Sequence, residues 1–282
     1  MANIDSCYII SFLGDDAIRE KRKIYHLKQL VWLKQQGLQP IVLPIDYRKD
    51  DYVDNIQYLP NVSKLLPGMA RNICLDHFYQ SHQDFAMFAD NDCVLYDGEK
   101  YCDSSHFIKI FNQLTLADLS EIDFFYPLNP GRMPFTKMHT EQKDIFDRYI
   151  RFARHLEPKS MYFIKNINKH YNKRIYFDTE NFVLYNGHLI AHEDTDFAIQ
   201  FLLNGMSVYQ CNNIILKEFG STTSTWLNQK DVNRKISADK GREILCKKYN
   251  LLRKNNRMNY KPIYKLSQKS TKIDILKRLD ID

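Results

Sequence analysis

DFAMFADND, residues 84–92, is a short apolar run that stops abruptly in two aspartates around an asparagine. A run of this length, closed by turn-formers, reads as a buried strand rather than a helix. Working outward, CYIISFL (7–13), bounded by Gly14-Asp15-Asp16, and LQPIVLPI (38–45) have the same character, as do CVLY (93–96) and DFFYPL (123–128). Helices are predicted between them. One covers 17–36, where Ile24, Leu27, Leu30, Val31 and Leu33 recur at helical spacing before Gly37. The other covers 61–81, with Pro67 and Gly68 marking its true start. Strands that alternate with helices predict an α/β fold with a mostly parallel, doubly wound central sheet and flanking helices.

Beyond residue 130 the pattern loosens. GRMPF reads as a loop, 140–156 as a basic amphipathic helix, and NFVLYNGHLIA (181–191) as a hairpin turning at Asn186-Gly187. Residues 193–204 form a helix stopped by Gly205, and SVYQC returns as a strand. The remainder is polar and basic, with helical patches at 239–252 and 270–280. The division expected is one domain over 1–226, in two halves over 1–105 and 106–226, and a basic extension over 227–282.

The chain has 282 residues, 44% apolar and 26% charged, with 9 glycines and 9 prolines, which excludes collagen-like and low-complexity architectures. It contains no apolar run long enough to cross a membrane, and its first residues lack the basic flank of a secretory signal. Six scattered cysteines without a CxxC pair suggest free thiols in a reducing compartment. A cytoplasmic protein is expected.

Charge is uneven. Segment 131–176 holds 11 Lys/Arg against 4 Asp/Glu and 227–282 holds 16 against 6, whereas the remainder holds 13 against 24. An acidic body with two basic segments suggests a polyanionic partner, against the plainer reading of a solvated lysine-rich tail.

The chemistry begins at Asp90-Asn91-Asp92. In open α/β sheets ligands bind beyond the carboxyl ends of strands. Two carboxylates flanking one residue there are hard oxygen ligands for a divalent ion, manganese or magnesium, which would neutralise a departing diphosphate. An isolated DxD is more often a solvated turn. This one is preceded by PGMARNICL (67–75) and followed by HEDTDFAIQFLLNGMSV (192–208), in which Glu193-Asp194 opens a helix that ends in glycine. A Glu-Asp pair alone could simply complement a helix N-terminus.

In order and spacing these three elements resemble the GT-A nucleotide-sugar glycosyltransferases, family-2-like members in particular, over roughly residues 5–217. The resemblance implies a metal and diphosphate site at Asp90 and Asp92, with Asn91 between them. It implies Arg71 and Asn72 near the nucleotide and donor sugar, and Ser11 with the loop from Gly14 at the base and ribose. Glu193 and Asp194 would face the acceptor, Asp194 as general base. UDP-glucose or a similar UDP-sugar is the implied donor. The resemblance also implies a Rossmann-like fold, with 1–226 as the catalytic domain, 1–105 its nucleotide-sugar-binding half and 106–226 its acceptor half. Many such enzymes supply a further metal ligand, often histidine, from their C-terminal region, but all nine histidines here lie at or before His192. The loop EFGSTTSTW (218–226) would cover the donor instead.

The basic segments, with Phe135, Tyr149, Phe152, Tyr162, Phe163, Tyr171 and Tyr176 interleaved in the first, suggest phosphate contacts and base stacking on double-stranded DNA. In this the chain resembles phage glycosyltransferases that modify hydroxymethylated pyrimidines, the T-even type that adds a second sugar to glucosyl-hydroxymethylcytosine being nearest. A phage enzyme would work in the host cytoplasm. The alternatives are a bacterial cell-surface glycosyltransferase acting on lipopolysaccharide or capsule intermediates, its basic tail against anionic lipid, and a non-catalytic nucleic-acid-binding protein on the same fold.

Overall fold

The computed structural model describes residues 4–96, 122–128, 150–152, 156, 158, 160–185, 188–219, 231–254, 257–259 and 263. In chain order the elements are β1 (Ile4–Phe12), α1 (Asp16–Gln35), β2 (Gln39–Ile45), β3 (Gln57–Tyr58), α2 (Pro67–Gln80), β4 (Phe85–Asp90) and β5 (Cys93–Tyr96). There follow β6 (Phe124–Leu128), β7 (Ile150–Phe152), β8 (Met161–Lys165), α3 (Ile167–Tyr171), β9 (Leu184–Tyr185), β10 (His188–Leu189) and α4 (Glu193–Leu203). The last are β11 (Val208–Glu218), α5 (Asp231–Tyr249), β12 (Leu252–Lys254) and β13 (Arg257–Asn259).

Nine strands form one sheet in the order β3-β2-β1-β4-β8-β6-β11-β5, with β7 also paired to β11. Strands β1 to β4, β6 and β11 share one direction, whereas β5, β7 and β8 oppose it. The fold is therefore α/β with a mostly parallel sheet, α1 packed on β2 and β5, and α2 on β1. Helix α2 starts at Pro67, as expected from its fixed φ and missing N–H.

Strand β8 was not expected. MYFIK lies inside the basic segment 131–176, yet it is buried throughout and sits between β4 and β6 at the centre of the sheet. Tyr162 stacks between Phe88 and Phe124, each ring 5.5 Å away. Phe163 stacks on Phe125 at 4.4 Å. These two rings are core, so they are not available to stack on a nucleic-acid base; four consecutive apolar or aromatic residues, 161–164, outweighed the local charge. Residues Ile150–Phe152, read as part of a basic helix, are instead an edge strand on β11. The helix expected at 270–280 lies outside the described residues.

Helix α1 divides its apolar residues between two faces. Leu30, Trp32 and Leu33 are buried, whereas Ile24, Leu27 and Val31 are 52%, 37% and 56% exposed. Part of the inward face is polar: Arg19, Arg22, His26 and Gln29 are all buried. That stripe reaches the carboxyl ends of β1 and β4, where the site lies.

Candidate active site

Arg71, on α2, is the centre of the site. Its guanidinium reaches Asp90 Oδ1 at the end of β4 (3.3 Å), Glu193 Oε1 (3.1 Å) and Asp194 Oδ1 (2.8 Å) at the start of α4. The Arg71 side chain is only 6% exposed, while the three carboxylates keep 18–35% of theirs. Burial alone would lower the Arg71 pKa, but Asp194, Asp90 and Glu193 raise it well above the ordinary guanidinium value, so the cation is fixed. The Phe177 ring, 5.2 Å away, supports it from one side. Residues 19 to 123 positions apart in the chain thus meet on one side chain.

Asn72, the next residue, does something else. Its Nδ2 donates to Phe177 O (3.0 Å) and its Oδ1 accepts from Phe177 N (2.8 Å). Both ends of the amide are engaged by backbone, so Asn72 holds the ring beneath Arg71.

The 90–92 turn faces two ways. Asp90 points to Arg71, whereas Asn91 is buried, donating to Ser11 Oγ (3.1 Å) and Phe12 O (3.2 Å) and accepting from Arg22 Nη2 (3.0 Å). Ser11 is itself fully buried and bonded to Tyr47 Oη. Its hydroxyl organises the end of β1. Asp92 is 8% exposed, accepts from Cys93 Sγ (3.6 Å), and its carbonyl accepts from Phe219 N (2.8 Å). Gly14 has φ +82°, a left-handed conformation that favours glycine.

The supporting residues on α1 escaped the sequence reading. Gln29 Nε2 donates to Asp90 O (2.6 Å) and Cys93 O (2.8 Å), gripping both ends of the turn. Arg22 Nε donates to Phe12 O (2.9 Å). His26 is fully buried beside Gln29 and the Asn91 backbone, without a hydrogen bond of normal geometry at either ring nitrogen among the described residues. Burial lowers its pKa to about 4; Gln29 and Asn91 partly offset this and Arg22 reinforces it. The available signal was three polar residues at helical spacing (22, 26, 29) on the face that also carries Leu30 and Leu33. Tyr162 was also missed as a site neighbour. Its buried hydroxyl lacks a hydrogen-bond partner among the described residues, and burial raises its pKa well above the ordinary phenol value, against the opposing pull of Arg71.

Among the described residues, no three His, Cys, Asp or Glu side chains form a ready cation cage. Between Asp90, Glu193 and Asp194 the positive charge is that of Arg71. Asp90 and Asp92 remain chemically suited to a hard cation as two oxygen ligands, with phosphate oxygens and water completing the shell. The loop expected to cover the donor lies largely outside the described residues.

No family model matches the chain, and no curated protein matches it. Solved structures that match include A197 from STIV, at 16% identity and TM-score 0.37, over 77% of this chain and 86% of that one. A CMP:2-keto-3-deoxy-manno-octonic acid synthetase in complex with CTP matches at 9% identity and TM-score 0.40, over 74% and 89%. A protein named as a nucleotide-diphospho-sugar transferase from Desulfovibrio desulfuricans G20 matches at 10% identity and TM-score 0.42, over 99% and 100%. Likeness at these levels assigns no activity.

Proposed function

We propose that this chain is a glycosyltransferase that moves a sugar from a UDP-sugar, such as UDP-glucose, to an acceptor hydroxyl. The observation that carries the reading is Arg71 drawing together Asp90 at a strand's carboxyl end and Glu193-Asp194 at a helix start. A fold has no need of three carboxylates around one buried cation, whereas a group-transfer site has a use for each. Asp194 takes the proton of the acceptor hydroxyl as its oxygen attacks the anomeric carbon and the nucleoside diphosphate leaves. Arg71 orients Asp194, and Glu193 lines the acceptor side. Asp90 and Asp92 would hold the divalent ion, which supplies charge neutralisation for the diphosphate. Gly14 lets the backbone pass close to the nucleotide.

For the acceptor, the reading we favour is hydroxymethylated or already glucosylated cytosine in DNA, supported by the basic excess of 131–176 and 227–282. Part of that excess is neutralised internally. Arg242 and Arg253 pair with Asp239, Lys240 with Glu243, and Lys248 with Asp178 and Asp196. A second reading, transfer to lipid-linked glycans at an anionic membrane surface, is favoured by the exposed Ile24, Leu27 and Val31 stripe among Lys21, Lys28 and Lys34.

The test is incubation with manganese, UDP-sugars, and either hydroxymethylated DNA or lipid-linked glycans, followed by mass analysis of each acceptor. Asp194→Asn is expected to lower turnover by about two to four orders of magnitude with donor affinity nearly unchanged. A near-normal rate would remove Asp194 as the base, and no mass gain on any acceptor would remove the transferase reading.

A further inference from the structure

The turn that carries Glu193 and Asp194 is poorly secured by its own sequence. His192, just before α4, has φ 77° and ψ 14°, a left-handed conformation that a residue with a Cβ adopts at a cost of about 1 kcal/mol or more. The His192 side chain does not cap the helix, and its first turn holds three acids, Glu193, Asp194 and Asp196. Arg71 balances the first two. Something else must hold the backbone.

Helix α5 meets that need along one face, at positions 237, 241, 245 and 248–249. Ser237 Oγ donates to Leu189 O in β10. Gly241 is buried in the helix interior, where glycine costs about 0.5–1 kcal/mol relative to alanine. A Cβ at this position would collide with the carbonyl oxygen of Ala191 and lie 3.2 Å from His192 Cδ2. The missing side chain is thus what allows α5 to rest on the backbone of the strained turn. At the other end, Lys248 Nζ lies 2.9 Å from Asp196 Oδ1 and 2.6 Å from Asp178 Oδ2. Tyr249 Oη donates to Asp196 Oδ1 (2.7 Å). Asp196 is fully buried and is also bonded by Gln200 (2.8 Å).

We infer that α5 is the positioning element of the acceptor-side turn: Gly241 seats it on Ala191, and Lys248 and Tyr249 anchor Asp196, so that Asp194 is held at its working position. The inference rests on the transferase reading for its kinetic consequence, but its structural content does not. Gly241, Lys248 and Tyr249 act through 191–196, the first against the Ala191 backbone and the other two on Asp196. The segment first read as a separate basic extension would then be part of the machinery that sets turnover.

The experiment compares wild type with Gly241→Ala, Lys248→Met, Lys248→Arg and Tyr249→Phe. Leu38→Ala, in the core at the opposite end of β2, is the control for loss of stability. Turnover, UDP-glucose affinity and hydrogen exchange at the Asp196 amide, which donates to His192 O at 3.0 Å, are read on each. Expected are a fall in kcat of about 10–100-fold for Gly241→Ala and about 3–10-fold for Tyr249→Phe, with UDP-glucose affinity within about twofold of wild type. Exchange at Asp196 should accelerate in the same order, Lys248→Arg should recover most of what Lys248→Met loses, and Leu38→Ala should keep its kcat.

Wild-type kcat and wild-type Asp196 exchange in Lys248→Met and Tyr249→Phe would overturn the inference, as would an equal kcat loss in Leu38→Ala. If Gly241→Ala does not fold, those two anchor variants decide. If the wild type transfers no sugar, the transferase reading fails by itself, and Asp196 exchange alone still decides whether α5 holds the turn.

Discussion

The two turns that face each other across Arg71 are held by different physics. The 90–93 turn is gripped largely by amide and backbone groups: Gln29 on two carbonyls, and Asn91 on Ser11 and Phe12, with Arg22 reaching Asn91 and Arg71 reaching Asp90. The 191–196 turn is held by charge, through Arg71 on one side and Lys248 on the other. Amide hydrogen bonds fix direction and are indifferent to modest changes of salt; ion pairs tolerate displacement and respond to salt and pH. The contrast assigns a preset geometry to the proposed donor side and an adjustable one to the acceptor side.

The largest test removes the cation between them. Arg71→Met leaves three carboxylates facing one another, and stability is expected to fall by about 2–4 kcal/mol, less than for a fully buried pair because the acids keep some solvent. Magnesium or manganese should then raise the melting temperature of the variant more than that of wild type, because the place of the guanidinium becomes open to another cation. Equal responses in the two proteins would mean that Arg71 does not hold that place.

Next in size is Gln29→Leu, which keeps the volume but leaves two buried carbonyls without their donor. The expected loss is about 1–3 kcal/mol in chemical denaturation, unchanged between 0.1 and 1 M salt. The Lys248→Met loss should shrink over the same range, since that side chain is 30% exposed. A salt response shared by both variants would erase the distinction.

Acid also separates the two sides. His26, with a folded pKa of about 4, is neutral when buried, while the unfolded chain takes up its proton near 6.5. Stability should therefore fall as pH drops from about 6.5 to about 4, with a slope approaching one proton, and His26→Leu should remove that slope. At Asp178, burial would raise the carboxyl pKa, but hydrogen bonds from Lys248 and Asn181 prevail and lower it to about 2. Its contribution is complete above the unfolded value near 3.8 and is lost as pH falls towards 2. Urea midpoints against pH should show both windows in wild type and lose only the lower one in Asp178→Asn.

Much of the scaffold was legible because its strands are short apolar runs with clear punctuation; β1, β2, β4, β6 and the Pro67 start of α2 all follow from such signals. Placing Arg71, Asp90, Glu193 and Asp194 in one neighbourhood needed the ordered resemblance, since each motif alone fits a turn or a helix start. β8 was hidden by the charge of its surroundings, which describes a segment of 46 residues (131–176) and not the five that enter the sheet. The polar stripe of α1 was hidden for the opposite reason. Periodicity looks for apolar residues on the inward face, yet there Arg22, His26 and Gln29 face inward and Ile24, Leu27 and Val31 stay exposed.

The central place of β8 also dictates an order of assembly. During synthesis β4 emerges with one flank covered by β1, but its other flank waits for residues 161–165, and β5 waits for 215–218. Until then a growing chain of some 160 residues presents the bare edge of FAMFAD, without a charge before its last position. Pairings this distant in sequence slow folding and prolong that exposure. A ribosome-bound nascent chain stopped before residue 161 should therefore depend on a chaperone that shields apolar strand edges, and that dependence should end once β11 has left the exit tunnel.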